Sequence, residues 1–102
     1  LCGCEISPRA LVGRGLRLPH PTGISIGQGV TIRNDVTLLQ NVTLGHLGDG
    51  REEDAYPVID SHATIYAGAK IIGNVHVGEA AKIAANAVVT KDVPARHVAV
   101  GI

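Results

Sequence analysis

The sequence contains no phenylalanine, tryptophan or methionine and only two tyrosines among its 102 residues. An ordinary globular core of this size uses those large side chains, as well as aliphatic ones, to fill its interior. Thirteen glycines and five prolines also argue against a helical bundle, because both residue types disrupt the interior of a helix. The length fits a single domain over residues 1–102, and the composition excludes an ordinary mixed core.

An excess of charge of one sign is also absent, since nine Lys and Arg residues balance nine Asp and Glu residues. We therefore expect no nucleic-acid partner and no anionic membrane partner. No apolar run approaches the roughly 20 residues that cross a bilayer, and no signal peptide is recognisable. We interpret the chain, which begins at Leu1 rather than Met, as part of a longer cytoplasmic protein.

Cysteine is scarce, with only Cys2 and Cys4 present. Two thiols cannot complete a structural zinc site, and neighbouring thiols in a reducing compartment normally stay reduced. We expect no resident metal.

Aliphatic residues recur every six positions along most of the chain, and a second, usually smaller residue lies two positions before most of them. The thirteen recurring positions are Ile6, Val12, Leu18, Ile26, Ile32, Leu38, Leu44, Ile59, Ile65, Ile71, Val77, Ile83 and Val89. Residues two apart on a strand face the same side, so each pair points into one interior. The repeat predicts an all-β solenoid of parallel strands, with three hexads to a triangular coil and a little over four coils in total. A narrow triangular interior accounts for the missing large aromatics.

The repeat is interrupted twice. The step from Leu18 to Ile26 is eight residues, and the step from Leu44 to Ile59 is fifteen. A solenoid accommodates insertions as outward loops, so we expect a projecting loop at about 46–58. The first insertion contains His20, at the corner that leads onto the face shared by Ile6 and Ile26.

Glu5 precedes Ile6 and is expected at the same corner as His20, one coil below. We expect the two side chains to lie within hydrogen-bond reach. A carboxylate that holds one imidazole nitrogen leaves the other free to act as a general base. The alternative, a solvated corner histidine beside an ordinary surface carboxylate, remains open at this point.

Several sequence blocks resemble serine O-acetyltransferases. They are residues 5–8, 12–15, 18–23, 32–36, 40–45 and 67–74. The resemblance extends over nearly the whole chain but covers only the catalytic β-helical part of that family, without its N-terminal helical region. It implies a left-handed parallel β-helix, against the general preference for right-handed crossovers.

The resemblance implies transfer of an acetyl group from acetyl-CoA to a hydroxyl group. His20 would be the catalytic base, and Glu5 would orient it. It also implies a homotrimer with active sites between the subunits. The residues that would contact the co-substrate are Ala67, Gly68, Lys82 and Ala85, together with His46, which stands where the family has a glycine close to CoA. Lys91 would be a further phosphate contact, and the alternative for both lysines is a solvated surface charge.

The chain departs from the family at the positions that bind the amino acid. The Asp before the catalytic His is replaced by Pro19, and the Arg-His pair before the loop-closing proline is replaced by Ala55 and Tyr56. These replacements remove the charges that recognise serine. We therefore hypothesise a sugar or another non-serine alcohol as acceptor, with Pro19, Ala55 and Tyr56 shaping its site. Serine itself is the alternative acceptor.

Two other functions compete with acetyl transfer. A γ-type carbonic anhydrase shares the β-helix and binds zinc with three histidines, but no two of the five histidines here lie five residues apart. A non-catalytic trimerisation module would explain the lost serine-binding residues. The presence of both His20 and Glu5 argues against that module without excluding it.

Overall fold

The computed structural model describes residues 3–46 and 56–101. These residues form thirteen short β-strands joined by turns, each strand two or three residues long. The strands are β1 (Glu5–Ile6), β2 (Leu11–Val12), β3 (Ser25–Ile26), β4 (Thr31–Ile32), β5 (Thr37–Leu38), β6 (Thr43–Gly45), β7 (Val58–Ile59), β8 (Thr64–Ile65), β9 (Lys70–Ile72), β10 (His76–Val77), β11 (Lys82–Ile83), β12 (Val88–Val89) and β13 (Val98–Ala99).

The strands assemble into three parallel sheets that form the faces of a triangular prism. Face A contains β1, β3, β6, β9 and β12; face B contains β2, β4, β7 and β10; face C contains β5, β8, β11 and β13. Isolated bridges at Arg17 and Val93 extend faces C and B to the end coils. The predicted left-handed parallel β-helix is confirmed. With the two bridges each face has five segments, so the prism has five coils where a little over four were expected.

The interior is filled by the residues that the six-residue repeat selects. Every buried hydrophobic side chain in the described residues is Ile, Leu, Val or Ala. The first coil differs, because none of the described residues forms a strand beneath it: its inward residues Ile6 and Val12 are 38% and 40% exposed. The core therefore becomes fully buried only from the second coil onward.

Two of the three edges turn through a left-handed residue in every coil. At the edge from face C to face A, called the CA edge, these residues are Gly3, Gly23, Asn41, Gly68, Asn86 and Gly101. At the edge from face B to face C, called the BC edge, they are Gly15, Asp35, His62, Ala80 and Arg96. Their N–H groups bond to the coil below, as Asn41 N does to Thr22 O at 2.9 Å.

Glycine and asparagine alternate at the CA edge from Gly23 upward. A Cβ at Gly23 would overlap Oδ1 of Asn41, and a Cβ at Gly68 would overlap Oδ1 of Asn86. Each asparagine side chain therefore occupies the space left by the glycine of the coil beneath it. Asparagine tolerates the left-handed conformation better than most residues, which suits it to this edge.

Both predicted interruptions of the repeat fall at corners. Residues 19–23 make an outward bulge at the CA edge, closed by a 2.9 Å hydrogen bond from Thr22 N to His20 O. The second insertion leaves after β6 and returns at Tyr56, and its residues 47–55 lie outside the described part of the chain. The six-residue repeat did not reveal a third irregularity. Val93 pairs with Val77, so this last coil contains two residues fewer than a regular coil of three hexads.

We predict that Ala80→Gly stabilises the fold. Ala80 has a φ of 58°, a conformation that costs a residue with a Cβ about 1–2 kcal/mol, and the greater entropy loss of glycine offsets part of the gain. Chemical denaturation should show an increase of roughly 0.5–1 kcal/mol in the free energy of unfolding. The control is Ala95→Gly at the neighbouring turn, where φ is not positive and a small decrease is expected.

Candidate active site

The CA edge gathers predicted site residues from three distant parts of the sequence. Pro19 and His20 lie on its bulge, between the first and second coils. Ala67 and Gly68 form the same corner two coils higher, and Ala85 lies one coil above them, where Asn86 N donates to Ala67 O at 2.9 Å. Coils stack about 4.8 Å apart, so these residues form a column roughly 15 Å long.

Glu5 lies on β1 of face A, just past the CA edge. Its main-chain partner in the coil above is Ser25, not His20, because the two-residue insertion carries the histidine outward from the column. Both side chains are exposed, and within the described residues no hydrogen bond or ion pair joins the Glu5 carboxylate to the His20 imidazole. The expected contact is not formed in this structure, and the catalytic pairing stays a prediction.

His46 and Tyr56 lie at the opposite side of face A, at the edge from face A to face B, called the AB edge. Their rings meet edge to face, with centroids 5.3 Å apart and planes at 60°. Both side chains are half-buried, and Tyr56 packs against the core. Nδ1 of His46 is buried without a hydrogen-bond partner.

The Tyr56 ring occupies a space that two glycines leave open. A Cβ at Gly27 would lie 2.8 Å from Cε1 of Tyr56, and a Cβ at Gly29 would overlap the ring. Sequence analysis assigned Tyr56 to the acceptor site and missed this cradle. The pattern Gly-x-Gly one coil below an aromatic residue is the signal that could have revealed it.

The remaining predicted residues are dispersed. Lys82 is exposed on β11 of face C, three residues before Ala85. Lys91 is exposed near the AB edge and lines a cavity of about 300 Å³ at the C-terminal end of the prism. Ala55 lies outside the described residues. Apart from Lys82 on face C and Ala55, which is not described, the predicted site residues thus divide between two edges of face A rather than forming one cleft within this chain.

A separate polar cluster lies on face B beside the BC edge. Nε2 of His76 is 3.2 Å from Oδ2 of Asp60, and the Arg33 guanidinium is 3.8 Å from Oδ1 of Asp60. Ser61 N donates to Asp60 Oδ1 at 2.7 Å. This hydrogen bond is the largest cause that lowers the pKa of the Asp60 carboxyl; partial burial opposes it, and His76 and Arg33 act with it. Sequence analysis treated His76 as an ordinary surface residue.

The described residues contain no group of three or more His, Cys, Asp or Glu side chains arranged to hold a metal ion. Nor do they include an apolar helix of membrane-spanning length.

Residues 56–91 match the family described as bacterial transferase hexapeptide (six repeats). Over 98 residues, or 96% of its length, the chain is 48% identical to a serine acetyltransferase of Buchnera aphidicola. The chain resembles the catalytic domain of serine acetyltransferases. It spans only 36% of that relative's length.

Solved structures of serine acetyltransferases superpose on the prism. The enzyme of Brucella abortus, solved in complex with coenzyme A, gives a TM-score of 0.92 at 40% identity, over 97% of this chain and 39% of that one. The soybean enzyme, solved in complex with serine, gives 0.93 at 41% identity, over 98% of this chain and 41% of that one. The resemblance inferred from sequence blocks is therefore confirmed in three dimensions.

We predict that Gly29→Ala destabilises the fold by about 1–3 kcal/mol, because the added methyl group overlaps the Tyr56 ring. In a Tyr56→Ala background the same substitution should be close to neutral, which a double-mutant cycle of unfolding free energies would detect. Gly45→Ala is the control, since its Cβ would meet only Ile72 Cδ1 at 3.9 Å. Equal costs of Gly29→Ala in both backgrounds would contradict the cradle.

Asp60→Asn should lower the free energy of unfolding by about 1 kcal/mol at pH 7. Ser61 N donates a charge-assisted hydrogen bond to the Asp60 carboxylate, and a neutral amide oxygen accepts a weaker one. The folded-state pKa of Asp60 is lowered, so the stabilisation is present above the ordinary carboxyl pKa of about 3.9 and is lost as pH falls through the folded value. Denaturation of both proteins at pH 7 and near pH 3 checks this. A difference that persists unchanged at the lower pH would refute it.

Proposed function

We propose that this chain is the acetyl-transferring β-helical part of an acetyl-CoA-dependent O-acetyltransferase. The observation that carries the proposal is the similarity to serine acetyltransferases over 96% of the chain, together with superposition on a relative solved with coenzyme A. The column of Ala67, Gly68 and Ala85 above His20 supports it, because an extended pantetheine arm requires a long, shallow track that ends at the reacting group.

The proposed reaction is direct transfer between two bound substrates. His20 removes the proton from the acceptor hydroxyl as its oxygen attacks the thioester carbonyl carbon, and the C–S bond of the thioester then breaks. The protonated imidazole returns the proton to the departing thiolate. Glu5 is proposed as the group that orients the imidazole, which requires its carboxylate to approach His20 when substrates are bound.

Serine is the acceptor we propose first, because the relatives that match this chain are serine acetyltransferases. The comparisons thus support the alternative of the sequence analysis better than the sugar acceptor that it preferred. A sugar hydroxyl remains the second candidate. It is favoured by the absence of charge at Pro19, Ala55 and Tyr56.

We also propose a homotrimer with active sites between the subunits. The predicted co-substrate residues other than Lys82 occupy the CA and AB edges, which lie on opposite sides of face A. Prisms packed side by side would bring the CA edge of one subunit to the AB edge of the next. His46 and Tyr56 of one subunit would then face His20 of its neighbour.

The experiment is release of free thiol from acetyl-CoA with serine and a panel of sugars, using this protein and two variants. His20→Asn should reduce turnover about 10²–10⁴-fold, since it removes the general base, while CoA binding is retained. His62→Asn at the BC edge is the matched control and should retain the parent rate.

Each outcome of this assay decides between acceptors. Thiol release with serine supports the first proposal, and release with a sugar alone supports the second. Equal rates for His20→Asn and the parent would reject His20 as the base. Absence of thiol release with every acceptor, from a protein that binds CoA, would favour the non-catalytic module.

A further inference from the structure

Two buried side-chain polar atoms in residues 3–46 and 56–101 have no hydrogen-bond partner: Oε1 of Gln40 and Nδ1 of His46. Gln40 precedes β6 and His46 follows it, so the two lie at opposite edges of face A. Native proteins pair the large majority of such atoms, so each one left unpaired calls for an explanation. His46 was already assigned to the co-substrate site, whereas Gln40 has no assigned role.

The main chain of Gln40 is fixed at the CA edge, in the row between the predicted base and the predicted pantetheine track. Gly68 N donates to Gln40 O at 2.9 Å from the coil above. Asn41 N donates to Thr22 O at 2.9 Å in the coil below, two residues beyond His20. Gln40 therefore lies about one coil spacing, roughly 5 Å, above the bulge that carries His20.

The amide nitrogen of Gln40 is not among the buried atoms without a partner, in contrast to its oxygen. The residue as a whole is half-buried, yet its Oε1 is fully buried and accepts no hydrogen bond. The amide nitrogen is consequently the part left to face the surface of the edge. A buried carbonyl oxygen without a donor destabilises the fold, so packing alone gives no reason for an amide at this position.

We propose that Gln40 Nε2 donates a hydrogen bond to the carbonyl oxygen of the acetyl thioester. This inference rests on the proposed function. The thioester must lie beside His20 with its pantetheine arm rising past Gly68, and Gln40 is the side chain between those two levels. The ligand group it recognises is thus an acyl carbonyl oxygen.

The hydrogen bond would strengthen during the reaction. As the acceptor oxygen bonds to the carbonyl carbon and its proton passes to His20, negative charge develops on the former carbonyl oxygen, where Gln40 donates. Collapse of this intermediate re-forms the C=O bond, breaks the C–S bond and sends the His20 proton to the thiolate. Gln40 gains and loses no proton in either step.

The test compares Gln40→Leu with the parent, and Glu79→Leu serves as the control because Glu79 is exposed at the BC edge, away from both edges of face A. Three quantities are measured on each protein: the midpoint of unfolding, the affinity for free CoA by calorimetry, and kcat and KM for acetyl-CoA. For Gln40→Leu we expect kcat about 10²–10³-fold lower, as for loss of an oxyanion donor. Free-CoA affinity, KM and the unfolding midpoint should not worsen.

Gln40→Glu provides a second variant of nearly the same shape. Its carboxylate opposes the developing negative charge, so its kcat should be no higher than that of Gln40→Leu. Glu79→Leu should match the parent in kcat, KM and free-CoA affinity.

The outcomes separate this inference from the proposed function. A parent that turns over, with a Gln40→Leu kcat within threefold of it, overturns the inference alone. If Gln40→Leu loses kcat and free-CoA affinity in parallel, Gln40 anchors the co-substrate. If its unfolding midpoint falls together with its activity, Gln40 is a structural residue. Either result overturns the assignment of Gln40 to the carbonyl oxygen. A parent that transfers no acetyl group overturns the proposed function and the inference together.

Discussion

Stacking of each coil on the next by main-chain hydrogen bonds is the constraint on which the rest of this structure depends. Strand residues lie directly above residues of the coil beneath: Thr43 lies above Ser25, 18 positions earlier, and Lys70 lies above Thr43, 27 positions earlier because the long insertion intervenes. Each column of the prism therefore accepts only certain residue types. Inward columns accept Ile, Leu, Val and Ala, and two edges require left-handed turns in every coil. The site obeys the same constraint, because an insertion in one coil can only project residues outward at a corner.

The fold was predictable from the sequence because the six-residue repeat reflects directly which side chains pack in the interior. Ile26, Leu44 and Ile71 all point inward on face A, as their spacing requires. The repeat also located both insertions. It did not extend past Val89, because the last coil is shortened and the register of β13 depends on pairing with β11 rather than on spacing.

The candidate site was predictable in part. His20 could be placed at a corner by counting, whereas its relation to Glu5 depends on how far a bulge projects, which no count of residues fixes. The packing of Tyr56 against Gly29 and the contact of His76 with Asp60 join residues of different coils on outward surfaces. Those surfaces carry no periodic signal. Gln40 was identified only from the structure, because the burial of its unpaired Oε1 depends on packing and not on sequence pattern.

The alternation of glycine and asparagine at the CA edge restricts the order in which coils can follow one another. Deleting the single coil that carries Gly68 would stack Asn86 directly on Asn41, and the Cβ of the lower asparagine would overlap the amide oxygen of the upper one. Removing or duplicating two coils at once preserves the order of the two residues. Deleting the coil that carries Asn41 would instead stack Gly68 on Gly23, an arrangement that this edge already contains between Gly3 and Gly23. The edge therefore determines which coil can be lost, because an asparagine needs a glycine directly beneath it, whereas a glycine can lie above either residue.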